Sequence, residues 1–78
     1  MGKKKRAKAK TESVYKVVEV IGTSSKSWED AAAKAVETAA DSLRDLRVAE
    51  VMKLDLKVER GKVSAYRTRL LLSFKYGS

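Results

Sequence analysis

From Val14 to Ile21 the chain reads Val-Tyr-Lys-Val-Val-Glu-Val-Ile. This run is β-branched and aromatic, and it predicts a strand whose two faces are both largely apolar. A short polar loop, Gly22 to Lys26, follows, and Ser27 then offers a helix cap with Asp30 three positions on, in the spacing of a capping box. The helix is predicted to run to about Arg44. Trp28, Ala31, Ala32, Ala35, Val36, Ala39 and Leu43 recur at three- and four-residue steps along one stripe, while Lys34, Glu37 and Asp41 lie elsewhere on its surface. So many alanines make the stripe thin, able to approach a sheet closely but adding little core.

Val48 to Glu59 alternates, with Val48, Met52, Leu54, Leu56 and Val58 on one face and Lys53, Asp55, Lys57 and Glu59 on the other. Glu50 is an exception on the apolar face. Glu59-Arg-Gly-Lys62 reads as a hairpin turn in which Gly61 is free to take a positive φ. The third strand, Val63 to Tyr76, puts Tyr66, Thr68, Leu70, Leu72, Phe74 and Tyr76 on one face and Val63, Ala65, Arg67, Arg69, Leu71, Ser73 and Lys75 on the other. The element order is β-α-β-β, an α+β domain with a three-stranded antiparallel sheet around one helix.

A last strand of this length spans roughly 46 Å at about 3.3 Å per residue. A compact domain of this size is only about 28 Å across. The strand therefore bends around the helix or runs beyond it, and its end is open to a neighbouring subunit. One helix covers one face, so the second apolar face of the first strand, with Val51, Val63 and Leu71, needs a further cover. At 78 residues without Cys or His, disulfides are excluded and a structural zinc is disfavoured as compensation for so small a core. A closed homo-oligomer is the expectation.

The net charge of +8 is unevenly placed. Lys3, Lys4, Lys5, Arg6, Lys8 and Lys10 crowd the first ten residues with no acid among them, and the rest of the chain is nearly balanced. Residues 1–12 lack apolar periodicity and read as a disordered basic tail, before a domain at 13–76 and a short end at 77–78. The six cations are candidate polyanion contacts. No aromatic residue interleaves them, so binding to nucleic acid would be unspecific and salt-sensitive, and a solubilising tail is the alternative. No apolar run is long enough to span a membrane and no signal segment follows the basic start, so a cytoplasmic protein is expected.

Catalytic chemistry finds little to use. There is no His, no Cys and no Ser with an evident base beside it, so the chain is read as a non-enzyme. Gly22 to Ser27 fails as a phosphate loop because Ser25, not Gly, precedes Lys26, only three residues after Gly22. Trp28 reads as a packing anchor. Glu19, Glu50 and Asp55 offer oxygen ligands to a hard cation, without EF-hand spacing, or serve as solvated or inter-subunit ion pairs.

Ser13-Val-Tyr-Lys-Val-Val-Glu-Val-Ile-Gly-Thr-Ser24 followed by Ser27-Trp-Glu-Asp-Ala31 resembles the opening of the dodecins. Gly61-Lys-Val-Ser-Ala-Tyr-Arg67, continuing through Leu70-Leu-Leu-Ser-Phe-Lys75, looks like their long last strand. The resemblance covers about residues 13–76. It implies a sheet wrapped around one helix and assembly into a hollow dodecamer.

Many dodecins hold paired flavins at subunit contacts between a Trp at the start of the second strand and a Gln on the third. Here those places fall on Val48 and Arg67, so neither residue inherits the role. The run Arg47-Val-Ala49 and Ser27-Trp-Glu29 look closer to the flavin-lacking calcium dodecins, which implies calcium as the ligand. Glu19 and Asp55 are the candidate metal ligands on chemical grounds. The resulting expectation is a cage for binding, storing or sequestering a small ligand. Its rivals are a flavin-storing dodecin of altered site geometry and an oligomeric scaffold displaying basic tails.

Overall fold

In a computed structural model, which describes residues 13–76, the chain folds as β1 (Tyr15–Ser24), α1 (Trp28–Ala40), β2 (Leu46–Glu59) and β3 (Lys62–Lys75). The basic tail, with Lys3, Lys4, Lys5, Arg6, Lys8 and Lys10, lies outside the described residues. β3 is the central strand of an antiparallel sheet ordered β1-β3-β2.

β1 runs three residues further than the expected strand, since Gly22, Thr23 and Ser24 pair with Thr68, Arg67 and Tyr66. The expected polar loop is thereby shortened to three residues. Ser27 caps α1 by accepting a hydrogen bond from the Asp30 amide at 3.0 Å. The Asp30 carboxylate accepts from the Ser24 hydroxyl at 2.6 Å and meets Lys34 at 3.3 Å, so the acidic half of the box fastens the helix start to β1. The helix ends four residues before the expected Arg44. Asp41, Ser42 and Leu43 donate their amides to Thr38 and Ala39 in a closing turn, and Asp45 takes the left-handed conformation at φ 56° to enter β2.

Residues opposite one another in an antiparallel pair share a face. Val18, Val20 and Gly22 of β1 therefore share the helix side with Thr68, Leu70 and Leu72 of β3 and with Ala49, Val51, Leu54 and Leu56 of β2. Thr68, Leu70, Leu72 and Ala31 are the buried centre, and Thr68 Oγ1 donates to the Trp28 carbonyl at 2.9 Å. α1 lies over β1 and β3 and scarcely touches β2. All of β2 after Leu46 is exposed.

The alternation expected in β2 breaks at a bulge. Val51 pairs with Leu70 and Lys53 with Arg69, leaving Met52 as the extra residue. This reverses the phase, so Val51 faces the helix side, while Val48 and Glu50 join Lys53, Asp55 and Lys57 on the outer face. Glu50 is thus no exception on an apolar face.

The 13 residues of α1 span about 20 Å. The hairpin of β2 and β3 runs on past the helix start as an arm, and the principal extents are 65 × 21 × 16 Å. The arm turns at Arg60 (φ 54°) and Gly61 (φ 75°), the two positive φ angles of a type I′ turn.

Candidate functional site

The outer face of the sheet carries the chemistry, because the helix covers the other. Its side chains stand in rows across β1, β3 and β2: Val17–Ser73–Val48, then Glu19–Leu71–Glu50, then Ile21–Arg69–Lys53, then Thr23–Arg67–Asp55. Apolar residues flank the small Ser73 at one end, and charge fills the rows that follow.

Two arginines on β3 each hold a carboxylate. Arg67 grips Asp55 with both arms of the fork, Nε to Oδ1 at 2.7 Å and Nη2 to Oδ2 at 3.0 Å. Those hydrogen bonds hold the Asp55 carboxyl below the usual carboxylate range and push the Arg67 guanidinium up. Arg69 Nη1 reaches diagonally to Glu19 Oε2 at 2.7 Å. The Asp55 backbone carbonyl accepts the Trp28 indole N–H at 3.0 Å, and Trp28 meets the Tyr66 ring edge-on at 5.3 Å. Trp28 is therefore the post that ties the helix start to the root of the arm.

The structure puts Glu19 and Asp55 on one face without bringing them together. Their β3 partners, Leu71 and Arg67, are four residues apart, which is about 13 Å along the strand. Calcium takes six to eight oxygen ligands, and among the described residues no group of three or more His, Cys, Asp or Glu side chains could hold a metal ion. One copy of the chain therefore does not make a calcium site.

Val48 and Arg67, the places the resemblance assigns to flavin contacts, also lie on this face. Val48 is half-exposed beside Ser73, and the Arg67 fork is engaged by Asp55. Neither presents the ring or the free amide that a flavin sandwich requires.

Glu50 and Lys53 belong to the same surface, and strict alternation had separated them. Lys53 stands directly opposite Arg69, like charge beside like charge, and Glu50 stands across Leu71 from Glu19. The sequence did carry a signal: a lone Glu in an apolar register followed by two consecutive apolar residues, Val51 and Met52, marks a bulge.

The dodecin family model matches residues 14–77. The calcium dodecin of Mycobacterium tuberculosis is 52% identical over 63 residues, 81% of this chain and 89% of the relative. A crystal structure of the M. tuberculosis calcium dodecin, described as calcium chelating and as having a novel calcium-binding site, is 53% identical with a TM-score of 0.74, covering 83% of this chain and 93% of that one. The dodecin of Streptomyces coelicolor, 32% identical, superposes with a TM-score of 0.80 over 87% of this chain and 97% of its own.

Proposed function

This chain belongs to the dodecin family, and from that premise we propose that it is a non-enzymatic, homo-oligomeric binding protein that takes up a small ligand between its copies. The dodecamer of the family is the assembly proposed, in the cytoplasm, with calcium as the ligand of choice.

The observation that carries this reading is the outer face itself. It offers Glu19, Glu50 and Asp55 as carboxylates and no nucleophile, and its half-exposed valines and isoleucine call for a cover. Since one copy holds too few oxygens in one place, a calcium ion would draw carboxylates from more than one copy, with Glu19 and Asp55 as the contributors. Arg69 and Arg67 compete with the ion for those oxygens, which favours modest affinity and sequestration at high calcium. The calcium dodecin relatives support the choice of ion, and Val48 and Arg67 argue against the flavin sandwich.

Calorimetry separates the possibilities. Calcium titrated into the assembled protein is expected to give saturable heat that Glu19→Gln with Asp55→Asn abolishes. Free riboflavin and flavin mononucleotide are expected to keep their fluorescence. Absence of calcium heat would overturn the choice of ion, and quenching of flavin would overturn the exclusion of the sandwich.

A further inference from the structure

We infer that the β2–β3 arm of one copy docks on the outer-face patch of a second copy, so that the contact is heterologous, arm to patch. This rests on the homo-oligomeric reading above and names the surfaces that meet.

The chain presents two separate uncovered apolar surfaces. On the arm, Met52, Leu54, Leu56, Val58 and Val63 are each 41–59% exposed. Leu54 and Leu56 lie on the helix side past the helix start, whereas Val58 pairs with Val63 on the outer side. A register shift between Lys57 and Val58 carries the apolar stripe from one face to the other. An arm apolar on both faces has nothing in its own chain to cover it. The second surface is on the outer face at the opposite end, where Tyr15, Val17, Ile21 and Val48 are each 45–55% exposed, with Val17 and Val48 facing each other across Ser73.

The areas match. At roughly 80 Å² of exposed surface per side chain, the arm offers about 400 Å² and the patch about 320 Å², so a copy that gives one arm and receives another buries about 720 Å², close to the share of about 800 Å² that each partner contributes to a stable interface. Either surface alone falls short of that share. Unlike surfaces on one chain, joined head to tail, build a ring when the rotation closes. The charged tip, Glu59, Arg60 and Lys62, is exposed and can reach past the patch into solvent.

Three proteins test this by light scattering after gel filtration, with circular dichroism on each: the unaltered chain, the arm variant Leu54→Asp/Leu56→Asp and the patch variant Val17→Asp/Val48→Asp. Both variants are expected to keep the spectrum and to raise the concentration at half-assembly at least tenfold. Mixed in equal amounts, they are expected to form a species of two chains, because one intact arm still finds one intact patch. If the arm variant loses its spectrum, Val58→Thr/Val63→Thr, which keeps shape and β-branching, takes its place with the same expected rise. An unaltered chain that assembles while both variants assemble equally well would overturn the arm-to-patch contact alone. A mixture that stays at single-chain mass would overturn the pairing of these two surfaces. An unaltered chain at single-chain mass would remove the oligomeric reading itself.

Discussion

Gly22 of β1 sits against Ala31 of the helix so closely that a Cβ on Gly22 would run into the Ala31 carbonyl oxygen and stand 2.9 Å from the Ala35 Cβ. The thin alanine stripe and the missing side chain are two halves of one device. Together they let helix and sheet approach at the point where Thr68, directly opposite Gly22, is fully buried.

The first prediction is that Gly22→Ala forces a backbone atom aside and costs about 1–3 kcal/mol, the range for overpacking a filled core. Gly61→Ala meets no atom within 4 Å and only strains a φ of +75°, which costs about 1–2 kcal/mol by the left-handed penalty. Urea midpoints at one protein concentration compare the two. Gly22→Ala should also shift Trp28 emission, whereas Gly61→Ala, at the far tip of the arm, should leave it unchanged.

Acid stability follows from two aspartates. Hydrogen bonding from Ser24, then Lys34, holds the Asp30 carboxyl below the ordinary range, and Arg67 does the same for Asp55. A carboxyl depressed in the folded state contributes fully above its unfolded value of about 3.9 and loses that contribution as pH falls through the lower folded value. Stability should therefore fall between about pH 4 and pH 2. With no His in the chain, no side chain has an ordinary titration point near neutrality, so the urea midpoint should be flat from about pH 5 to pH 8. Asp30→Asn with Asp55→Asn should flatten the acid limb and lower the plateau.

The order of elements, the hairpin turn and the buried face of β3 were legible because strict periodicity and turn chemistry set them. Leu70 and Leu72 are buried by alternation alone, and Gly61 takes its positive φ where the turn requires it. The phase of β2 was not legible in full. A bulge is one extra residue in a pairing, and pairing is a property of two strands, so Met52 read alone continued the alternation. The outer face was divided by that one residue: Glu50 and Val48 appeared on the helix side, and Val51 on the wrong one. The end of the helix was missed for a similar reason, since Leu43 fits the stripe although the chain has already turned at Asp41.

Thr68 offers a test of the junction between helix and sheet. Its hydroxyl is buried and donates to the Trp28 carbonyl. Thr68→Val keeps the shape and removes the donor, at a cost of about 0.5–1.5 kcal/mol for one net hydrogen bond. Because Trp28 also holds the Asp55 carbonyl at the root of the arm, the variant should loosen both. Faster amide exchange at the first turn of the helix, together with a red shift of Trp28 emission, is the expected result. Exchange confined to the arm tip would contradict it.

The place of Val48 and Arg67 on one open face makes the exclusion of flavin reversible. Val48 stands in the row of Val17 and Ser73, and Arg67 lies three rows along, held by Asp55. Nothing in the backbone of either row is special to valine or arginine, since both are regular, paired strand positions. Val48→Trp supplies a ring face for stacking, worth about 0.5–1.5 kcal/mol beyond its buried area, and Arg67→Gln supplies an amide that both donates and accepts. Arg67→Gln also frees Asp55 from its fork, so Asp55→Asn is added to avoid an unpaired charge beside the ligand. The triple variant is expected to quench flavin fluorescence and to emerge yellow from purification, with affinity at least tenfold above the unaltered chain. Val48→Trp alone should stack without orienting the ring and gain less. If the triple variant assembles normally and still leaves flavin fluorescence untouched, then the barrier lies in how the copies meet and not in these two side chains.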